Sequence, residues 1–142
     1  MTGNGRERLM FHGAIVLFIG LLCGFPAIME WGDPTVHAWR STHLSLILAG
    51  IWLLATAGVA PSLVLARREA SGLVWSLLGT AYGTMIGRLV ETVTGVRGIE
   101  PKGPLFNWVA FAATCVVVLS SLTAALLTLI GARAALKRAR AS

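Results

Sequence analysis

Charge is scarce in this chain. Only 13% of its 142 residues are Asp, Glu, Lys or Arg, while 56% are hydrophobic. A soluble domain of this size cannot hide that much apolar surface in one core, so much of the chain must face something other than water. Cysteine is almost absent. Cys23 and Cys115 each sit inside an apolar run, where they read as small packing residues, and a disulfide framework is not expected. The motifs of soluble catalysis are missing too: there is no glycine-rich phosphate loop, no zinc-ligand spacing and no Ser-His-Asp order. No linker, second domain or convincing repeat interrupts the sequence.

What the chain does have is four long apolar runs, at residues 9–29, 45–66, 72–93 and 109–130. Each is close to the ~20 residues that cross a bilayer as a helix. Helices are required because lipid offers backbone N–H and C=O groups no partners. The first run is too apolar for too long to be a signal peptide, and Pro26-Ala27 before Met29-Glu30 is a poor cleavage site. The expectation is an all-α integral membrane protein, a four-helix bundle formed as a single domain over residues 1–142.

The placement of basic residues sets the topology. Arg6 and Arg8 precede the first run, Arg67 and Arg68 fill the short link between the second and third, and Arg133, Lys137, Arg138 and Arg140 follow the fourth, in all eight of the twelve basic residues. The opposite connections carry only Arg40, Arg97 and Lys102, balanced by Glu30, Asp33 and Glu100. The positive-inside rule therefore puts both termini in the cytoplasm and the chain in the inner (cytoplasmic) membrane as a multi-pass protein. The net charge of +6 and pI of about 10.7 would suit nucleic acid if clustered on one face. Confined to ends and short links, they fit anionic membrane lipid instead, and no nucleic-acid partner is expected. Both outer connections, the one from Glu30 to Thr42 and the one from Thr94 to Asn107, are rich in turn residues, and Trp31, Trp39 and Trp108 suit the interfacial belt. The residues after Ala135 read as a short basic extension facing lipid.

The third run is the least lipid-like. Gly79, Gly83 and Gly87 recur every fourth residue, a smooth stripe for close helix approach either within one protomer or between protomers. Thr80, Thr84, Arg88 and Glu91 form a neighbouring polar row. Charges inside a span face an interior, a cavity or a partner. Two readings stay open: Arg88 and Glu91 pair with each other, or Arg88 serves a bound polar group. Depth separates the histidines. His43 enters the second span at its outer end, at the level of Arg88, whereas His12 lies at the inner end of the first span, about 25 Å away at ~1.5 Å rise per residue, and His37 lies in an outer loop. His12 and His43 therefore cannot clamp one haem in the same protomer. A ligating His43 is the iron's only protein nitrogen and leaves an open position opposite; the alternative is a structural histidine.

Several motifs, in order and spacing, resemble the membrane-bound styrene oxide isomerases. Arg8-Leu9-Met10-Phe11-His12-Gly13 opens the first span, Trp39-Arg40-Ser41-Thr42-His43 leads into the second and is followed by Gly50, and the third carries Tyr82-Gly83. Arg97-Gly98, Gly103-Pro104 and Ile130-Gly131 complete a resemblance that covers nearly all four spans. It implies four-helix protomers assembled as a homotrimer with haem b between subunits, and His43 as the iron's axial ligand. It also implies an isomerase of the intramolecular oxidoreductase class. The Lewis-acid iron opens a small hydrophobic epoxide, and a 1,2-shift (the Meinwald rearrangement) gives an aldehyde or ketone. The sequence departs from the family where polar residues surround the distal pocket: an asparagine, an aspartate and a tyrosine of the family fall at Ala49, Thr80 and Arg88 here. Arg88, Thr80 and Tyr82 stand as catalytic candidates, and Arg88 also as a ligand of a haem propionate. A non-enzymatic haem-binding sensor or carrier keeps His43 and accounts for the missing distal residues. A small multidrug-type transporter, which also has four spans, needs a carboxylate deep in the first; that span has none, and Glu91 lies near an interface.

Overall fold

A computed structural model describes residues 3–29 and 35–141; Trp31 and the rest of residues 30–34 in the first outer connection lie outside them. Every regular element among the described residues is helical: α1 (Gly3–Leu22), α2 (Gly24–Met29), α3 (Thr35–Val59), a 3₁₀ turn (Ala60–Ser62), α4 (Arg67–Thr94) and α5 (Leu105–Ala139). Four helical stretches are long and apolar enough to cross a membrane, α1 and α2 together forming the first. The chain is therefore an all-α multi-pass membrane protein.

The helices overrun the apolar runs. The second begins at Thr35 and not near Ser45, so His37, Trp39, Arg40 and His43 are all helical, and Trp39 packs on the core. Arg67 and Arg68 open α4 and do not fill the preceding link, which is Leu63–Ala66. Helix α5 has 35 residues, about 52 Å at ~1.5 Å per residue, well beyond the ~30 Å hydrocarbon layer. Its basic end, expected as a short extension, stays helical through Ala139. Polarity alone marks where hydrocarbon stops; backbone hydrogen bonding carries a helix further.

Helices α1 and α3 meet along a seam with a 3-4 repeat of buried residues. On α1 these are Leu9, Gly13, Val16 and Gly20, continued by Cys23 just past its end; on α3 they are Leu46, Gly50 and Leu53. The seam is antiparallel, with Gly13 against Leu54, Leu17 against Gly50, Gly20 against Ile47 and Gly24 against His43. There is no room for side chains at its crossing points: a Cβ on Gly50 would lie 2.7 Å from Leu17 N, and one on Gly20 2.9 Å from Ile47 N. Small residues are what let backbones approach in lipid, where packing and not water drives helix association.

Helix α4 is central, burying Ala70, Leu73, Val74, Leu77, Leu78 and Ala81 along one stripe. Its Gly79, Gly83 and Gly87 receive Ser120, Val117 and Ala113 of α5, so the glycine stripe packs helices inside one protomer. Two other glycines have definite tasks. Gly131 lets the link from α3 lie on α5, with Leu65 3.0 Å from where a Cβ would be and Val64 N–H donating to the Gly131 carbonyl. Gly98 takes φ +57° against Ala110, and its N–H donates to Asn107 Oδ1. The Asn107 amide then donates to the Glu100 and Lys102 carbonyls, tying down the second outer connection.

The seam predicts unequal costs for one substitution. Gly50→Ala forces two backbones apart and destabilises the fold by about 1–3 kcal/mol. Gly58→Ala, whose Cβ meets nothing within 4 Å, is neutral or slightly stabilising. Thermal unfolding in detergent micelles checks the pair.

Candidate functional site

His43 lies two turns inside α3, half-buried. Its Nδ1 is 2.7 Å from the Gly20 carbonyl oxygen of α1. A carbonyl can only accept, so Nδ1 carries the proton and donates it. The neutral ring is thereby fixed in one tautomer with Nε2 unprotonated, the form that ligates metals. Among the described residues Nε2 has no hydrogen-bond partner. Gly24 seats the ring from beside it: a Cβ there would lie 2.9 Å from Nδ1 and 3.0 Å from Cε1. The carbonyl can be reached because Gly24, one turn further on, has no side chain to stand between it and the ring. The chain turns at Cys23 between α1 and α2, and Pro26 has no N–H to offer the Leu22 carbonyl.

The ring lines a groove of about 420 Å³ whose walls are Leu21, Gly24, Phe25, Ala27 and Ile28 on one side and Arg40, His43 and Leu44 on the other. Residues 40, 43 and 44 share one face of α3, as 21, 24, 25 and 28 share one face of α1 and α2. The groove is apolar apart from His43 and Arg40, and it opens on the outside of the bundle, where Phe25 and Ile28 are 61% and 70% exposed. Arg40 has no carboxylate partner among the described residues. No group of three or more His, Cys, Asp or Glu among those residues could hold a bare metal ion. A single imidazole facing an apolar groove suits a metal that arrives inside its own macrocycle.

The other sequence-derived candidates lie elsewhere in the chain. Thr42 turns the opposite way from His43, its hydroxyl 2.7 Å from that of Thr92 and 3.4 Å from the Arg88 carbonyl. Arg88 is thus at His43's depth, as the sequence implies, but on another side of α3. Its guanidinium pairs with Glu91 at 3.1 Å, so the self-pairing reading is the one observed. Thr80 is buried and donates to the Ser76 carbonyl of its own helix. Tyr82 hydroxyl lies 2.7 Å from His12 Nδ1, joining α1 to α4. Ala49 is buried in the core. None of these lines the His43 groove.

The Gly24–His43 register sets His43 twelve residues beyond His12 along α1, about 18 Å at ~1.5 Å per residue and not about 25 Å, because His43 is inside the helix and not at its entrance. The separation is still far too great for both to ligate one iron. Gly20, Gly24 and Arg40 were missed as site residues. The signal available was an arginine one turn before a histidine, opposite two glycines four apart beside a proline.

Because Tyr82 is committed to His12, the two act as a structural couple. In a double-mutant cycle of His12→Phe and Tyr82→Phe, unfolding in micelles should give a coupling of about 1 kcal/mol.

The sequence model described as styrene oxide isomerase matches residues 5–133. No curated protein and no solved structure matches the chain.

Proposed function

This chain belongs to the styrene oxide isomerase family, and from that premise we propose that it is a haem-b-dependent membrane isomerase that converts a small hydrophobic epoxide to an aldehyde or ketone. The observation that carries the reading is the His43 imidazole, locked by the Gly20 carbonyl at 2.7 Å with Nε2 left for an iron. The residues present fit the group. The donated N–H fixes the tautomer and the ring plane, as the outer partner of a ligating histidine does. The groove walls are apolar, and Arg40 at their edge is the cation for a propionate.

When bound, ferric haem supplies Lewis acidity toward the epoxide oxygen, enough to open the ring and allow a 1,2-shift without net redox change. The chain supplies the surroundings. Leu21, Phe25, Ile28 and Leu44 keep water away, which would otherwise trap the developing cation as a diol. Their exposure supports a homotrimer in which a neighbouring protomer covers the groove. Of the α4 candidates, Arg88 alone is both at His43's depth and exposed, so it is the one a neighbour can present. The distribution of basic residues supports both termini in the cytoplasm and an inner-membrane location.

A second reading has its own support. At the positions where the family carries distal polar residues, Ala49 is apolar, Thr80 is spent on its own helix and Arg88 on Glu91. That favours a haem-binding sensor or carrier.

Protein purified from haem-replete cells should show a Soret band, and His43→Ala should abolish it while helicity by circular dichroism is retained; haem-free wild-type protein would overturn the reading. Gly24→Ala, which displaces the ring, should weaken haem binding about 10–100-fold, measured by haem titration. Incubating the haem-loaded protein with aryl and alkyl epoxides decides between the two readings: carbonyl product establishes the isomerase, and none across the panel leaves the sensor or carrier.

A further inference from the structure

At the end of the bundle that carries the termini, a second cavity of about 470 Å³ lies between the start of α1 and the start of α4. Asn4, Gly5 and Arg8 line it from α1, Leu65 and Arg67 from the link and first turn of α4, and Ser71, Val74 and Trp75 from further along that helix. Arg8 and Arg67 thus line one cavity from two helices. Neither has a carboxylate partner among the described residues. The nearby acids do not enter it: Glu7 and Glu69 are not among its lining residues, and the Glu69 carboxylate accepts the Ala66 N–H at 2.8 Å.

Two basic side chains lining a cavity that no acidic side chain lines give it a positive potential that an anion complements. Arg67 adds to that potential, because it is the first residue of a 28-residue helix, where the macrodipole already presents positive charge. The opposite wall has a different chemistry. Half-buried Leu65 and the 63% exposed Trp75 offer apolar surface, with Val74 buried behind them in the core. A tryptophan at that level is an interfacial anchor, and polar groups above it with apolar groups below match a phosphate joined to acyl chains.

We infer that this cavity binds the phosphate of an anionic phospholipid, held by Arg8 and Arg67 with Asn4 and Ser71 as neutral hydrogen-bonding groups and Trp75 against the acyl chains. The site lies at the other end of the bundle from the His43 groove, shares no residue with it, and does not depend on the haem reading. It would fasten the N-terminal turn of α1 to α4 and fix the depth of the bundle in the bilayer.

The test uses the full-length protein in detergent micelles, with binding followed by native mass spectrometry and by the rise in melting temperature. Phosphatidylglycerol should be retained and should raise the melting temperature; phosphatidylcholine and inorganic phosphate should do neither at the same concentration. Arg8→Gln and Arg67→Gln should each weaken phosphatidylglycerol binding about five-fold, and the double variant about twenty-fold. Arg138→Gln, equally basic and near the same end but outside the cavity, should leave it unchanged. Equal loss in Arg138→Gln, or full binding in the double variant with helicity intact, would overturn the inference in favour of diffuse charge attraction. Inorganic phosphate binding as tightly as the lipid would overturn the lipid assignment and make the cavity a site for a soluble phosphate.

Discussion

The 2.7 Å hydrogen bond from His43 Nδ1 to the Gly20 carbonyl exists only because α1 and α3 run in near backbone contact. Gly13, Gly20 and Gly24 on one helix and Gly50 on the other remove the side chains that would hold the helices apart. A closer seam brings a backbone carbonyl of one helix within reach of an imidazole of the next. The packing of the bundle and the chemistry of its candidate ligand are thus one constraint. Anything that widens the seam also breaks this bond and releases the constraint on the ring's tautomer and orientation.

A second glycine system does a different job. Gly79, Gly83 and Gly87 bring α4 against α5, making α4 the buried centre of the bundle. That explains why the least apolar span can exist in a membrane: Thr80 and Thr94 donate to carbonyls of α4 itself and Thr92 bonds to α3, and Arg88, the arginine within the span, is paired with the glutamate a turn later. Thr80, Arg88 and Glu91 of the polar row thus find their partners within α4. The groove of α1, α2 and α3, by contrast, shows an exterior of exposed apolar side chains with one imidazole and one guanidinium. The two sides of the protomer have separate roles, one spent on folding and one available for a ligand or a neighbouring subunit.

Family membership and local chemistry do not point to the same degree of function. Residues 5–133 match the family, and the supports of the histidine are intact down to the glycines that seat it. The distal positions are not, since Ala49, Thr80 and Arg88 offer no free polar group to the groove. Under the proposed haem reading, a kept ligand beside replaced substrate-aligning groups allows either a changed substrate or a changed purpose.

By itself the sequence determined that this chain is four apolar helices in a membrane, with eight of its twelve basic residues at one end and His43 at the depth of Arg88. Those properties follow from hydrocarbon thickness, helical rise and charge, which act on each segment separately. Helix ends were not legible at Thr35 or Ala139, because backbone hydrogen bonding continues a helix past the residues whose polarity marks the lipid boundary. Tertiary structure alone decided which nitrogen of His43 carries its proton, that Tyr82 belongs to His12, that the Gly79 stripe faces inward, and that Arg40 lines the groove while Arg88 does not. Each depends on the register between two helices. Register is set by how glycines and side chains interlock across a seam, a property of the pair that neither helix carries in its own pattern.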